Sequence, residues 1–95
     1  MIEPLHIERS NQFKRDYKKA KKQGKNLLLL YQSIDHLCNH KPLPVKFRDH
    51  ALFHNWHNYR ELHLSSDWLL IYQLVIEKNL LRLARLGSHT EIFKI

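Results

Sequence analysis

The sequence has few of the residues that mark disulfide-bonded or low-complexity proteins. Its 95 residues include one cysteine, two glycines and three prolines. The single cysteine, Cys38, cannot form a disulfide within the chain, and it falls on the apolar face of a helical pattern, so we expect it to be a small core residue. We find no internal repeat, linker or low-complexity segment.

Long hydrophobic runs are also absent from the sequence. The longest apolar stretches, residues 27–31 and 68–76, fall well short of the ~20 residues that a membrane-spanning helix needs. Residues 1–4 lack the basic start and the apolar core of a secretory signal. We therefore expect a cytoplasmic protein with no membrane span.

Acidic residues are scarce relative to basic ones. Nine Asp and Glu stand against sixteen Lys and Arg, which gives a net charge of +7 with histidine neutral. The eight histidines add positive charge as the pH falls toward their ordinary pKa of about 6.5. The length is that of one domain, residues 1–95, and the charge predicts that its partners are polyanions.

The hydrophobic pattern of the first half predicts a strand followed by two helices. Leu5 and Ile7 alternate with polar residues, as in a short edge strand. Ser10 can cap a first helix that Gly24 ends, and Asn26 can cap a second helix that ends at the stretch HKPLP, because proline cannot continue a helix. The short link between the helices predicts an αα-hairpin.

The period changes to two from residue 59 onward, which predicts three antiparallel strands. Leu62 and Leu64 would face one side of the first strand, and Glu61 and His63 the other. The apolar run 68–76 is typical of a central strand that is covered on both faces, and residues 80–86 form the next strand. The predicted fold class is α+β, in which an N-terminal strand and a two-helix hairpin pack with an antiparallel sheet of about four strands, the helices on one face.

This arrangement leaves the other face of the sheet partly open, and His63 should project from it. Asp67 lies in the turn before the central strand, and His89 lies in the turn after the last strand. The strand ends would then bring two imidazoles and a carboxylate together, which is the set that general acid and base catalysis requires. From the residues alone, ordinary roles as caps or surface groups are the alternative.

RNA is a polyanion on which such a set can act. Its 2′-hydroxyl attacks the adjacent phosphorus when a base removes the hydroxyl proton and an acid protonates the departing 5′-oxygen. The reaction needs no metal and no cofactor. It needs fixed positive charge near the phosphorus, which Arg60 and Arg85 could supply.

Two blocks of sequence carry a specific resemblance. The stretch DHALFHNWHNYRELHLSSDWLLIY, residues 49–72, and the stretch RLARLGSHTEIF, residues 82–93, resemble the YafQ branch of the RelE toxin superfamily, the mRNA interferases of type II toxin–antitoxin pairs. The resemblance implies a RelE-like fold, in which His89 is the general acid, Asp67 or His63 is the general base, and His50 orients or binds the substrate. It also implies that Phe93 packs against a base. The catalytic positions carried over are His50, His63, Asp67 and His89, and Arg85 would hold phosphate.

The same resemblance implies partners. Members of this family cut mRNA in the ribosomal A site, inhibit translation, and are neutralised by a cognate antitoxin. The basic block 14–25 is by itself typical of a solvated helix face. With a ribosomal target, its lysines would lie along rRNA phosphates. The lysines concerned are Lys14, Lys18, Lys19 and Lys22.

Three points are left open by the sequence. The superfamily includes ParE-like toxins that lack the catalytic set, so a non-catalytic toxin or a basic nucleic-acid-binding module is the alternative function. His50, His54 and His57 have helical spacing and would be zinc ligands if their segment were a helix, although no carboxylate or thiolate completes the set, so we expect no metal site. Related toxins commonly carry glycine on either side of the loop tryptophan, where this chain has His54 and Asn58. The position of His50 therefore depends on whether these two residues adopt the backbone shape that glycine allows.

The glycine near the C-terminus also has two interpretations. Gly87 would let the chain turn sharply after the last strand, so that His89 approaches His63 and Asp67. The alternative is an ordinary turn, with Phe93 as a core residue.

Overall fold

A computed structural model describes residues 3–94 of the chain. The helices and strands are β1 (His6–Arg9), α1 (Asn11–Lys22), α2 (Leu27–Cys38), β2 (His50–Ala51), β3 (Arg60–Ser65), β4 (Trp68–Val75), β5 (Leu80–Gly87) and α3 (His89–Phe93). Short 3-10 turns cover Val45–Phe47, His54–Trp56 and Ile76–Lys78.

The strands form one sheet in the order β1-β5-β4-β3-β2. The neighbours from β2 to β5 are antiparallel, whereas β1 runs parallel to β5. The predicted α+β fold, with a two-helix hairpin on one face of a sheet, is confirmed. The sheet is mixed and has five strands, whereas we expected an antiparallel sheet of about four. The sequence did not predict β2, because this strand is too short to show a period of two. It did not predict the parallel pairing of β1 with β5 either, because no local pattern encodes that pairing.

The helix boundaries lie where the capping residues predict. The Ser10 hydroxyl accepts a hydrogen bond from the Phe13 amide at 2.9 Å, and it donates one to the Ala84 carbonyl at 2.7 Å. Asn26 accepts a bond from the Leu28 amide at 3.1 Å, which caps α2. Gly24 follows α1 with a φ of +72°, a left-handed conformation that suits glycine.

The sheet is covered on both faces, which explains the unbroken apolar run of β4. One face of the sheet packs against α1 and α2, and Leu70 and Tyr72 of β4 are buried there together with Cys38, as predicted. Leu69 and Ile71 point to the other face, where they pack against Ile92. Within residues 3–94, none of the helices has the length and apolar character that crossing a membrane requires.

The turn predicted after β5 is instead the start of the short helix α3. Ser88 caps this helix, and Glu91 bonds back to the Ser88 amide, which forms a capping box. Gly87 is not among the residues with a left-handed φ. A β-carbon at Gly87 would lie 3.1 Å from Glu91 Oε1. Gly87 therefore provides room for the capping box, and the interpretation as a sharp turn is wrong.

The charge of Glu91 should stabilise the fold in a pH-dependent way. A hydrogen bond from Lys19 and one from the Ser88 amide lower the pKa of Glu91 to about 2. Because the pKa is lower in the folded state than in the unfolded state, this stabilisation is present above about pH 4.5 and is lost as the pH falls toward 2.

We expect Glu91→Gln, which keeps a capping side chain, to lower the free energy of unfolding at pH 7 by about 0.5–1 kcal/mol, the scale of a partly exposed ion pair. The difference from the wild type should disappear near pH 2. Urea unfolding at both pH values measures it, and Glu77→Gln on the exposed turn after β4 is the control. An equal loss at both pH values would contradict the role of the charge.

Candidate active site

A buried carboxylate surrounded by three imidazoles lies on the sheet face opposite the helix pair. Glu61 is only 3% exposed. Its Oε2 lies 2.9 Å from His50 Nε2 and 3.2 Å from His63 Nε2. Its Oε1 lies 3.6 Å from His89 Nε2. We call these four residues the imidazole cluster.

Strand pairing places three of the cluster residues. Glu61 and His63 are two residues apart on β3, so both side chains point to the same face. His50 lies directly opposite Glu61 in the β2–β3 pairing. In β4, Leu69 pairs with His63 on one side and with Gly87 on the other. The chain therefore leaves β5 close to His63, and α3 begins there with His89.

Asp67 orients His89. The Asp67 Oδ1 atom accepts hydrogen bonds from the backbone amide of His89 at 3.2 Å and from its ring Nδ1 at 3.1 Å. These two bonds, the amide first, lower the pKa of Asp67 and hold it as a carboxylate. Both ring nitrogens of His89 therefore face carboxylates.

His63 has the opposite environment. Its side chain is 10% exposed, and Arg48 Nη2 lies 3.1 Å from its Nδ1. Arginine can only donate, so Nδ1 is the acceptor and the ring proton is on Nε2, facing Glu61. Burial, followed by the charge of Arg48, lowers the pKa of His63, and the charge of Glu61 opposes this shift only in part. His63 is thus a neutral imidazole near pH 7.

His50 is the most exposed imidazole of the cluster, with 51% of its side chain accessible. Its Nε2 faces Glu61, and its Nδ1 lies 3.2 Å from the carbonyl oxygen of Ala51. Both nitrogens face acceptors, as they do in His89.

The loop after β2 keeps His50 in place despite its unusual residues. His54 and Asn58 both adopt left-handed conformations, with φ values of 56° and 74°. The loop therefore provides the backbone shape at the two positions where related toxins commonly carry glycine.

The ring of Trp56 packs edge-on against Phe93 at 6.0 Å, and Phe93 lies 6.0 Å from the ring of His89. Phe93 is thus beside the cluster.

The two predicted phosphate-binding arginines are engaged elsewhere. Arg60 Nη2 lies 2.8 Å from Asp49 Oδ2. A bulge in β5 at Ala84 turns Arg85 toward α1, where its Nε lies 2.8 Å from Asp16 Oδ2. In this conformation neither guanidinium contacts the cluster, and their binding of phosphate stays a prediction.

The predicted rRNA-binding lysines lie along α1. Lys14, Lys18 and Lys22 are exposed, whereas Lys19 forms an ion pair with Glu91 of α3. This pair links the basic helix to the helix that carries His89 and Phe93.

Glu61 and Arg48 are functional candidates that the sequence did not reveal. The period of two already puts Glu61 on the face of His63, and that pattern could have found it. Arg48 follows a 3-10 turn and has a left-handed φ of 45°, so no periodic pattern marks it. Next to Arg48 and His63 is a cavity of about 280 Å³, which Lys46 and Ser65 also line.

The structure rearranges the candidate metal ligands. His54 and His57 are exposed, and their segment is a strand and a 3-10 turn rather than an α-helix, so the predicted helical spacing does not exist. Instead, His50, Glu61 and His63 have ligand atoms within 4.8 Å of one another. Two imidazoles and a carboxylate are a donor set that transition-metal ions accept.

Comparisons with known proteins agree with this fold. Residues 5–94 match the family model described as the bacterial toxin of type II toxin–antitoxin systems, YafQ. The mRNA interferase toxin YafQ of Escherichia coli strain B/BL21-DE3 is 41% identical over 88 residues, which cover 92% of this chain and 94% of that protein.

Solved structures of related toxins are also similar to this chain. The metal-bound toxin from Helicobacter pylori superposes with a TM-score of 0.89 and 44% identity, over 94% of this chain and 99% of that chain. A chain of the E. coli DinJ–YafQ toxin–antitoxin complex has a TM-score of 0.85 and 38% identity, over 95% and 98% of the two chains. The fold is that of a RelE-like toxin, and the chain belongs to the YafQ family.

The environment of His63 gives a test with two opposite signs. The charge of Glu61 raises the pKa of His63 and the charge of Arg48 lowers it. We therefore expect Glu61→Gln to lower this pKa further and Arg48→Ala to raise it. NMR titration of the His63 ring signals measures both, with the signals of the distant His6 as the internal reference. Shifts of the same sign in the two variants would refute the assigned contacts.

Proposed function

We propose that this chain is a ribosome-dependent endoribonuclease that cleaves mRNA in the ribosomal A site and thereby inhibits translation. The observation that supports this proposal is the imidazole cluster, in which a neutral imidazole and a carboxylate-bound imidazole lie side by side. The rings of His63 and His89 are 5.8 Å apart, close enough to flank one phosphodiester. The mRNA interferase activity named for the E. coli relatives agrees with it.

His63 is the general base in this proposal. A neutral ring can accept a proton, and its acceptor atom, Nδ1, faces Arg48 beside the cavity that both residues line. The 2′-hydroxyl of the substrate would take the place of Arg48 at Nδ1 and transfer its proton there as O2′ attacks phosphorus. Asp67 is a poor base by comparison, because hydrogen bonds from His89 already hold its carboxylate.

His89 is the general acid. Asp67 fixes Nδ1, so the proton on Nε2 is the one available to the departing 5′-oxygen. The contact of Nε2 with Glu61 is long, at 3.6 Å, and gives way readily to a substrate oxygen. Transfer of this proton leaves a 2′,3′-cyclic phosphate and a free 5′-hydroxyl, and no metal takes part.

In this proposal, Arg48 is the main source of positive charge for the phosphate. Its guanidinium is already at the cluster and is released from His63 when the hydroxyl binds. His50 lies beside Glu61 at the exposed side of the cluster, where it can orient or bind the substrate. Phe93 is placed to pack against the base next to the scissile phosphate.

A transition-metal ion is the other ligand that this cluster suits. The related H. pylori toxin was crystallised in a metal-bound form. An ion held by His50, Glu61 and His63 would take Nε2 of His63, the nitrogen that faces Glu61, and would displace its proton to Nδ1. His63 could then no longer accept a proton at Nδ1, so such an ion would compete with catalysis rather than support it.

The partners follow from the charge distribution. The exposed lysines of α1 would contact rRNA phosphates, so that the ribosome holds the toxin over the mRNA. A cognate antitoxin with an acidic segment would cover this basic surface, and the E. coli relative assembles with the antitoxin DinJ. The site of action would be the cytoplasm. A non-catalytic ParE-like toxin would have no use for the cluster, so the cluster argues against that alternative.

Removal of the proposed general acid should strongly slow cleavage while leaving the fold intact. We expect His89→Ala to slow ribosome-dependent cleavage by about 10²–10⁴-fold, the range for loss of a general acid. Asp67→Ala should have a smaller effect, because it only misorients His89. Cleavage of an mRNA with mapped ends measures both, and His6→Ala, an exposed histidine on β1, is the control. Full activity in both His89→Ala and Asp67→Ala would refute the proposed mechanism.

Charge reversal on α1 should weaken ribosome binding without unfolding the protein. We choose Lys14→Glu, Lys18→Glu and Lys22→Glu, because Lys19 also holds Glu91. If a lysine contacts a phosphate, its charge reversal should make the slope of log K against log[salt] less steep by about 0.7–0.9, where K is the association constant for ribosome binding. Binding is measured with the His89→Ala variant, which leaves the mRNA uncut, and the exposed Lys78→Glu is the control. Unchanged binding at low salt would exclude α1 from the interface.

A further inference from the structure

A second charged network lies directly behind the imidazole cluster, on the other face of the sheet. Arg60 Nη2 donates to Asp49 Oδ2 at 2.8 Å, and Arg60 Nε lies 3.3 Å from both carboxylate oxygens. The hydroxyl of Tyr72 donates to Asp49 Oδ1. Tyr72 is 1% exposed and belongs to the core beneath α1 and α2, so the Asp49 carboxylate is attached to a fixed part of the fold.

The two networks are built from neighbouring residues. Asp49 precedes His50 in the chain, and Arg60 precedes Glu61. Because successive side chains of a strand point to opposite faces, Asp49 meets Arg60 on the helix side while His50 meets Glu61 on the other side. The Asp49–Arg60 ion pair and the His50–Glu61 contact thus lie back to back across the same pair of backbone segments.

His50 depends on such support because little else holds it. β2 is a two-residue strand at the edge of the sheet, and among the described residues, 3–94, it pairs with β3 alone. Half of the His50 side chain is exposed, so packing does not fix its ring. A short edge strand of this kind opens readily unless side chains anchor it.

We propose that Asp49, Arg60 and Tyr72 form a clamp that positions His50 in the imidazole cluster. Arg60 is then a positioning residue rather than a phosphate ligand. The catalytic consequence of the clamp rests on the proposed endoribonuclease function, whereas its effect on the placement of His50 does not.

The test combines two substitutions in a double-mutant cycle. Asp49→Asn keeps the shape of the side chain and removes its charge, and His50→Ala removes the group that the clamp positions. We expect Asp49→Asn to slow single-turnover cleavage on saturating ribosome complexes by about 10- to 100-fold, the effect of a small misplacement, with ribosome affinity unchanged. In the His50→Ala background the same change should have no further effect, because the clamp acts through His50.

Matched variants separate positioning from a general loss of stability. Tyr72→Phe removes a single hydroxyl from the clamp and should give a smaller loss of rate, and it replaces Asp49→Asn if that variant does not fold. The control is Glu8→Gln, which removes the carboxylate from a similar ion pair with Arg82 at the opposite edge of the sheet, where Arg82 Nε lies 2.6 Å from Glu8 Oε1. The control should cut at the wild-type rate.

A structural readout makes the test independent of cleavage. The ring NMR signals of His50 should move in Asp49→Asn and in Tyr72→Phe, and should stay in place in Glu8→Gln. A folded Asp49→Asn protein with wild-type rate and unmoved His50 signals would overturn the clamp, and so would a rate loss that is undiminished in the His50→Ala background. If the wild type itself fails to cut mRNA, the proposed function fails, and the His50 signals alone decide the inference.

Discussion

The buried carboxylate of Glu61 is the interaction on which the arrangement of this site depends. A carboxylate that is only 3% exposed is tolerated only when hydrogen bonds and opposite charge replace the water it has lost. Here the replacement comes from three imidazoles carried by β2, β3 and α3. The need to satisfy one buried anion therefore draws together the start of the edge strand and the end of the chain.

The surroundings of Glu61 differ from one imidazole to the next. His89 faces a carboxylate with each nitrogen, whereas His63 is largely buried and has the guanidinium of Arg48 at its Nδ1. Burial and the charge of Arg48 lower the pKa of His63 and favour its neutral ring. Under the proposed function, two histidines 5.8 Å apart can therefore take different roles, because their neighbours differ.

Local signals in the sequence predicted much of this structure. The caps Ser10 and Asn26 and the patterns of β1 and β3 to β5 depend on neighbours along the chain, so the helices and these strands were predicted correctly, whereas the short strand β2 was not. The pairing of β1 with β5, the engagement of Arg85 by Asp16 and the contact of Arg48 with His63 join segments up to 74 residues apart, and no periodic pattern encodes them. The family pattern supplied His50 and Phe93, whose positions depend on such contacts.

The shape of the site explains why a protein of 95 residues would leave the binding of substrate to a larger partner. His50 and His89 are 51% and 39% exposed in their side chains, so the cluster lies on a surface rather than in a closed pocket. An open site excludes little water and gives few contacts to a flexible RNA, which must therefore lose much of its freedom before it reacts. In the proposed function, a ribosome that already holds the mRNA would meet this cost. The proposed acid, base and positive charge would then need only to be correctly placed.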